Sequence, residues 1–173
     1  MKIIALDISG NFKEGKGTTG IAELIDGEVR CISSLSAKHH SSPEEYWHEV
    51  IRDTIFRQPN VVVIEGYMLY NHRGMNASTQ ANSDLETPQL LGALKHYLYL
   101  QKIPIHIQYA KDIKTRWSEK ILVHMGILTE KSTSNKSKLY LFKNQITSTH
   151  ERDAMKHALR FWHHVYEKGK WLA

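Results

Sequence analysis

Two acidic residues interrupt stretches of the sequence that are otherwise apolar. Asp7 lies in KIIALDIS, and Glu65 ends the run VVVIE. A carboxylate is costly to bury without a partner, so each acid is expected to meet a basic group, a helix end or a metal ion. If the two segments are adjacent parallel strands, both carboxylates emerge at the same carboxyl end of the sheet, where the ligand sites of α/β proteins collect.

A third acidic residue belongs to the sequence HERD near the end of the chain. His150 and Asp153 are three residues apart, so on a helix they share one face. Docking of that helix against the first strand would bring Asp153 toward Asp7, although a His-x-x-Asp pair is also an ordinary decoration of a helix start. Three carboxylates and a histidine suit magnesium, which prefers oxygen ligands. Two such ions could activate a water and stabilise the departing oxygen of a phosphodiester.

Charge and cysteine content narrow the function classes. Residues 1–100 contain 9 Lys and Arg against 12 Asp and Glu, whereas residues 101–173 contain 14 against 6. The basic part suits binding of a polyanion, and a solvated basic surface explains it equally well.

The chain has one cysteine, Cys31, which excludes a disulfide framework and a cysteine zinc site. We expect Cys31 to be buried on a strand. With no signal-peptide pattern and no apolar run of membrane-spanning length, we expect a soluble cytoplasmic protein.

The elements that position these residues follow from periodicity and turn signals. TGIAELID and EVRCISSLS flank the turn Asp26-Gly27 and predict a hairpin after a first strand in residues 2–9. The segment 67–86 has no helix or strand period and predicts a long loop, of the kind that is usually functional or mobile. Further along come a helix from residue 42 to about 57, a buried strand at VVVIE, a helix over about 88–101, a strand at PIHIQYA, a basic helix around KDIKTRWSEKILVHM, a polar stretch and a last helix from about residue 150. This order predicts an α/β fold with a mixed five-stranded sheet flanked by α-helices.

The acidic motifs, in this order, resemble those of RuvC-type Holliday junction resolvases of the RNase H-like superfamily. The similarity rests on Asp7 in IIALDIS, Glu65 in VVVIEGY and His150-x-x-Asp153 in HERDAMKHA, and it covers most of the chain. The segments NSDLETPQLLGALKHYL and PIHIQYAKDIKTRWSEKILVHMG most resemble the compact resolvases that bacteriophages encode. The resemblance implies one RNase H-like domain over residues 1–173, a homodimer, and paired nicks across a four-way DNA junction with Mg²⁺, or Mn²⁺ in its place, two ions per site.

The resemblance also implies roles for individual residues. Asp7, Glu65 and Asp153 would be metal ligands, with His150 a further ligand or a proton-transfer group. Lys114 matches a lysine that the family uses in catalysis, whereas Lys120 follows it at a shorter spacing than in the bacterial enzymes. The implied DNA contacts are Tyr67, Tyr70, Arg73, Lys111, Lys114, Arg116 and Lys120.

This chain departs from the family pattern in two places. SGNFKEGKGT follows Asp7 and is longer than the usual turn. Met68 stands where the bacterial enzymes carry an aromatic wedge, so Tyr67 or Tyr70 could stack on an unpaired base instead, or pack under the loop.

Several alternatives to a junction resolvase remain open. A broader flap or branch nuclease, or a nuclease of RNA–DNA hybrids, would use the same metal centre. GKGTTG after an early aspartate is similar to a phosphate loop of actin-like and sugar-kinase-like ATPases, but those need a second nucleotide-binding half that 173 residues cannot supply. A silent DNA-binding module would gain nothing from three acids near a phosphate. An apolar stripe on one predicted helix is either a dimer surface or part of the core, and it comprises Leu90, Leu91, Leu94 and Leu98.

Overall fold

The main sheet has five strands. The computed structural model describes residues 1–67, 85–114, 116–132 and 137–169, apart from the side chains of Glu14 and Lys114. Its strands are β1 (Lys2–Asp7), β2 (Thr18–Ile25), β3 (Glu28–Ser36), β4 (Val61–Glu65) and β5 (Ile105–Gln108), in the spatial order β3-β2-β1-β4-β5. The pairs β1–β2 and β2–β3 are antiparallel, whereas β1–β4 and β4–β5 are parallel. The mixed sheet predicted from the sequence is therefore confirmed.

Helices connect and follow these strands. They are α1 (Pro43–Phe56), α2 (Glu86–Leu100), α3 (Ala110–Lys114), α4 (Glu119–His124) and α5 (Thr149–Phe161), with 3₁₀ turns at Lys13–Gly15 and Ala37–His39 and a π-helical turn at Trp162–Tyr166. The single basic helix expected around residues 111–125 is wrong, because the chain forms α3 and α4 there. Ser118 is extended, with φ −80° and ψ 161°, and it interrupts the helical path before α4.

A second, smaller sheet occupies the stretch that the sequence predicted to be polar and irregular. It consists of β6 (Thr129–Ser132), β7 (Lys138–Phe142) and β8 (Gln145–Ile146), which pair antiparallel in that order. The first strand, TEKS, is polar, whereas Leu141 and Phe142 in the second strand are buried. The prediction of an irregular stretch is therefore wrong, because two buried apolar side chains of KLYLF are enough to anchor a short strand.

The two faces of the main sheet are covered by different helices. On one face α1 and α2 pack Tyr46, Val50 and three leucines against the sheet, while α5, α4 and the small sheet cover the other face. Leu90, Leu94 and Leu98 are fully buried in the core, and Leu91 packs against the same cluster. The interpretation of this stripe as a dimer surface is therefore wrong, since it is used within the chain.

The last helix is fixed firmly at its beginning. Ser148 accepts a hydrogen bond from the backbone N–H of Glu151, whose side chain accepts one from the backbone N–H of Ser148, so the two form a capping box. The helix lies against β2 so closely that a Cβ built on Gly20 would come within 2.1 Å of the carbonyl oxygen of His150. Glycine at position 20 thus lets α5 begin next to β1.

The cysteine lies on the surface of the main sheet. Cys31 is exposed on β3, which corrects the expectation that it is buried. β3 is an edge strand with little cover, so the apolar-polar alternation of its sequence does not produce a buried side there. Among the described residues, no helix has the length and apolar character needed to cross a bilayer.

Candidate active site

Asp7 and Glu65 end two neighbouring parallel strands. The register pairs Leu6 with Ile64, so the next residue on each strand is one of the two acids. Burial raises the pKa of Asp7 above its ordinary value of 3.8, the hydrogen bond from His150 opposes that increase, and the nearby charge of Glu65 adds to it. Two carboxylates that disfavour each other's ionisation form a site where a cation would be stabilised.

The N-terminal turn of α5 brings His150 to this pair of acids. Its Nδ1 lies 2.7 Å from Oδ2 of Asp7, and its side chain is 43% exposed. The hydrogen bond to Asp7 raises the pKa of His150 above 6.5, burial opposes the increase, and the charges of Asp153 and Glu65 contribute to it. The structure thus places His150 in contact with Asp7 and close enough to Glu65 and Asp153 for their charges to act on it.

Each of the three carboxylates meets a partner from α5. His150 contacts Asp7, as described. Lys156 places its Nζ 2.7 Å from Oδ1 of Asp153 and 2.7 Å from Oε1 of Glu119 on α4. His157 places its Nε2 3.2 Å from Oε2 of Glu65. One helix therefore controls the surroundings of all three acids.

Sequence reasoning did not find Lys156 and His157. The available signal was helical spacing, because His157 follows Asp153 by four residues and therefore lies on the same helix face. Nothing in the sequence indicated that Lys156 would be buried, since a lysine in a charged helix is usually solvated. In the structure it is 7% exposed.

The donor chemistry of the site fits a hard divalent cation. Three carboxylates offer the oxygen ligands that magnesium prefers, and an imidazole stands beside them. In the conformation described here, no three His, Cys, Asp or Glu side chains among the described residues form a set able to hold a metal ion.

The predicted DNA-contact residues fall into three groups. Lys111 and Arg116 are exposed and line a cleft of about 610 Å³ together with Arg160 and Lys168. Lys120 is exposed on α4 outside that cleft, and Tyr67, two residues beyond Glu65, is 42% exposed. Met68, Tyr70 and Arg73 lie outside the described residues, as does the side chain of Lys114.

The cleft beside β5 is strongly basic. Its walls come from α3, the segment after it, and the end of the last helix. The pKa of His164 there is lowered, first by burial and then by the charges of Lys168, Arg116 and Arg160. Asp112, an acid in the same cleft, has its Oδ1 3.6 Å from Nη2 of Arg160. An anion would therefore enter a positive potential.

The longer segment after Asp7 is attached to the start of α2. Gly10 donates its N–H to Oγ1 of Thr87 at 3.0 Å, and Phe12 donates to Oε2 of Glu86 at 2.8 Å. The GKGTTG sequence that resembled a phosphate loop leads into β2, where Thr19 is buried with its hydroxyl 2.9 Å from that of Tyr46. These contacts give the segment a structural role next to Asp7.

Comparison with known proteins decides the fold. No protein-family model matches the chain, and no curated protein matches it. Thermus thermophilus RuvC, solved in complex with a Holliday junction substrate, superposes with a TM-score of 0.61 at 14% identity over 98% of this chain and 97% of that one. This chain has the fold of RuvC.

A second RuvC structure from Thermus thermophilus gives the same TM-score of 0.61, at 13% identity and 98% coverage of both chains. A weaker similarity, with a TM-score of 0.43 at 13% identity over 73% of this chain and 74% of the other, extends to Fowlpox virus resolvase with its Holliday junction DNA. The two RuvC structures confirm the predicted RuvC resemblance and RNase H-like fold class at the level of the fold. The closer likeness to bacteriophage enzymes stays a prediction.

Proposed function

We propose that residues 1–173 form one RuvC-like nuclease domain that cuts branched DNA, four-way junctions in particular, by metal-dependent hydrolysis. One observation carries the proposal: Asp7 and Glu65 end adjacent parallel strands, and His150 at the start of α5 contacts Asp7 and responds to the charges of Glu65 and Asp153. The fold adds support, since RuvC was solved with a Holliday junction. A homodimer would present two such sites to the two strands that a resolvase must cut.

Asp7, Glu65 and Asp153 would hold the metal, with His150 as a fourth group. We propose two Mg²⁺ ions, for which Mn²⁺ can substitute. When bound, they would activate the attacking water and offset charge at the departing oxygen. The half-exposed ring of His150 can hold a proton beside Asp7 and exchange it with solvent, which suits a proton-transfer group.

Binding of the DNA would use the basic side of the molecule. Lys111 and Arg116 in the cleft, with Lys114 and Lys120 nearby in sequence, are proposed to contact phosphates. Tyr67, Tyr70 and Arg73 follow Glu65 in sequence and are proposed to meet the branch point. Of these three, Tyr67 is seen to be exposed.

The test is cleavage of a synthetic four-way junction by the purified chain with Mg²⁺. We expect paired nicks in the junction and little cutting of linear duplex. Asp7→Asn should lower the rate by at least about 100-fold, because even outer-shell substitutions at metal sites cost 10–100-fold. Asp26→Asn, at an exposed position on the hairpin turn at the opposite end of β1, is the matched control and should cut normally.

The substrate series separates the alternatives. Equal cleavage of Y-forks, flaps and junctions would indicate a broader branch nuclease, and preferential cleavage of an RNA–DNA hybrid would indicate a hybrid nuclease. Unchanged cutting by Asp7→Asn, or no cutting by the wild type with any divalent metal, would refute the proposal.

A further inference from the structure

His157 is a fully buried polar residue with apolar neighbours on α5. Ala154, Ala158 and Leu159 surround it along α5, and all are at most 1% exposed, as is His157 itself. A leucine at position 157 could fill such a place without losing hydration, whereas a buried imidazole is costly unless both nitrogens find partners. The contacts of the ring should therefore explain its presence.

Both ring nitrogens of His157 meet polar groups of the sheet. Nε2 lies 3.2 Å from Oε2 of Glu65 at the end of β4, and Nδ1 lies 3.0 Å from Oε1 of Gln108 at the end of β5. Gln108 is 1% exposed, and no described residue provides a partner for its amide Nε2. The ring thus bridges a buried amide and one of the candidate metal ligands.

The hydrogen-bond inventory favours one arrangement of this bridge. A neutral imidazole donates from one nitrogen and accepts at the other. If Nδ1 donated to the amide oxygen of Gln108, Nε2 would present a lone pair to the Glu65 carboxylate. If the side-chain amide of Gln108 is rotated by half a turn, its N–H donates to Nδ1 of His157, and the amide nitrogen gains a partner. The ring proton then lies on Nε2 and is donated to the Glu65 carboxylate.

We propose that His157 is a positioning residue that holds the Glu65 carboxylate for the metal ion, with Gln108 fixing the orientation of the ring. The inference deepens the proposed function and rests on it, because Glu65 needs an ion to hold. A carboxylate already fixed by a neutral donor loses less freedom when it binds an ion, and it keeps its charge for that ion.

The experiment measures Mn²⁺ binding to the DNA-free protein by electron paramagnetic resonance. Three substitutions separate the two ring nitrogens. In His157→Gln the amide N–H can reach about where Nε2 lies, in His157→Asn it reaches only about as far as Nδ1, and in His157→Leu there is no polar group. We expect the Asn and Leu variants to bind Mn²⁺ about 10–100-fold more weakly, and the Gln variant to retain most of the affinity.

A matched control removes a different histidine–carboxylate contact after the last helix. His163 places Nδ1 2.8 Å from Oε2 of Glu167, outside the candidate active site, and His163→Leu leaves no polar group there, so this variant should bind Mn²⁺ like the wild type. Thermal unfolding without metal reports the purely structural effect of each change. If His157→Leu does not fold, the comparison of the Gln and Asn variants decides, since both are polar.

The outcomes distinguish this inference from the proposed function. Equal Mn²⁺ affinity of wild type, His157→Asn and His157→Gln would overturn the positioning role even if junctions are cut. The predicted order of affinities with no cleavage of any branched DNA would support the positioning role and refute the proposed function. A wild type that binds no Mn²⁺ would overturn both.

Discussion

At the scale of single residues, the contact between Asp7 and His150 determines how the site responds to pH. The hydrogen bond from the ring to the carboxylate is the largest cause that raises the pKa of His150. Removing the charge with Asp7→Asn should therefore lower the pKa of His150 toward 6.5. Titration of the histidine signals by NMR in metal-free protein measures this directly, and an unchanged His150 titration would show that the contact is not formed.

The same residues predict how metal-free stability depends on pH. The raised pKa of His150 means that its contribution is complete below pH 6.5 and disappears as pH rises through the raised value. The raised pKa of Asp7 acts in the same direction, since its ionisation above the ordinary value of 3.8 is less favourable in the folded chain. Metal-free stability at this site therefore decreases as pH rises.

A bound divalent ion should reverse this trend, because it favours ionised carboxylates and an unprotonated imidazole. We expect the increase in Tm caused by Mg²⁺ to be larger at pH 8 than at pH 5, and to be largely absent in Asp7→Asn. Differential scanning calorimetry with and without Mg²⁺ measures it. An increase in Tm independent of pH would argue against these groups as ligands.

The residues that could be predicted from sequence are those that violate a local pattern. Asp7 and Glu65 stand out because a charge ends an apolar strand, and the parallel register places them together. His157 and Gln108 violate nothing locally, since a histidine in a helix and a glutamine at a strand end are ordinary. Their contact joins residues 49 positions apart, and only the docking of α5 on the sheet creates it.

At the scale of elements, the start of α5 carries two of the four site residues. Its cap is Ser148, and loss of such a cap costs about 1 kcal/mol of stability. Ser148→Ala should therefore lower the free energy of unfolding by about that amount and also reduce cleavage, since His150 and Asp153 lie in the first turns. Ser42→Ala removes the cap of α1 and is the matched control. Urea denaturation should show similar losses, while cleavage falls only for Ser148→Ala.

The close approach of α5 to β2 gives a second prediction for this element. A methyl group at position 20 would clash with backbone atoms of His150, so Gly20→Ala should destabilise the fold by about 1–3 kcal/mol and displace α5. Gly92 in α2 has nothing within 4 Å of its Cβ position, so Gly92→Ala should stabilise by about 0.4–1 kcal/mol. Urea denaturation should show a lower free energy of unfolding for Gly20→Ala and a higher one for Gly92→Ala. An unchanged free energy of unfolding for Gly20→Ala would contradict the prediction.

Elements with a strong period were predictable, whereas weakly patterned ones were not. The helix α1 and the strand β4 begin and end close to their predicted bounds, and α5 begins close to its predicted start, because caps and continuous apolar runs mark these positions. The small sheet escaped detection because its strands of two to five residues bury few side chains. Tertiary packing against α5, rather than local propensity, decides such strands.

At the scale of the whole molecule, the candidate site acids and the basic residues of the cleft lie in different places. The acids gather at the carboxyl ends of β1 and β4, where a cation can offset them. Some of the Lys and Arg residues that are in excess after residue 100 line the cleft between α3 and the last helix. The sequence indicated the imbalance, but Arg160 and Lys168 could be placed in one cleft with Lys111 only by the fold.

This arrangement predicts the salt dependence of DNA binding. Each phosphate contact releases counterions, so the logarithm of the binding constant falls with the logarithm of salt concentration by about 0.9 per contact. Lys111→Gln and Lys168→Gln should each weaken junction binding for all sequences alike and reduce that slope by about 1. Lys95→Gln, exposed on α2 against the opposite face of the sheet, should leave the slope unchanged. Fluorescence anisotropy with a labelled junction in Ca²⁺ at several salt concentrations measures all three. If the three variants share one slope with the wild type, the cleft does not contact phosphates, and the DNA must lie on another surface.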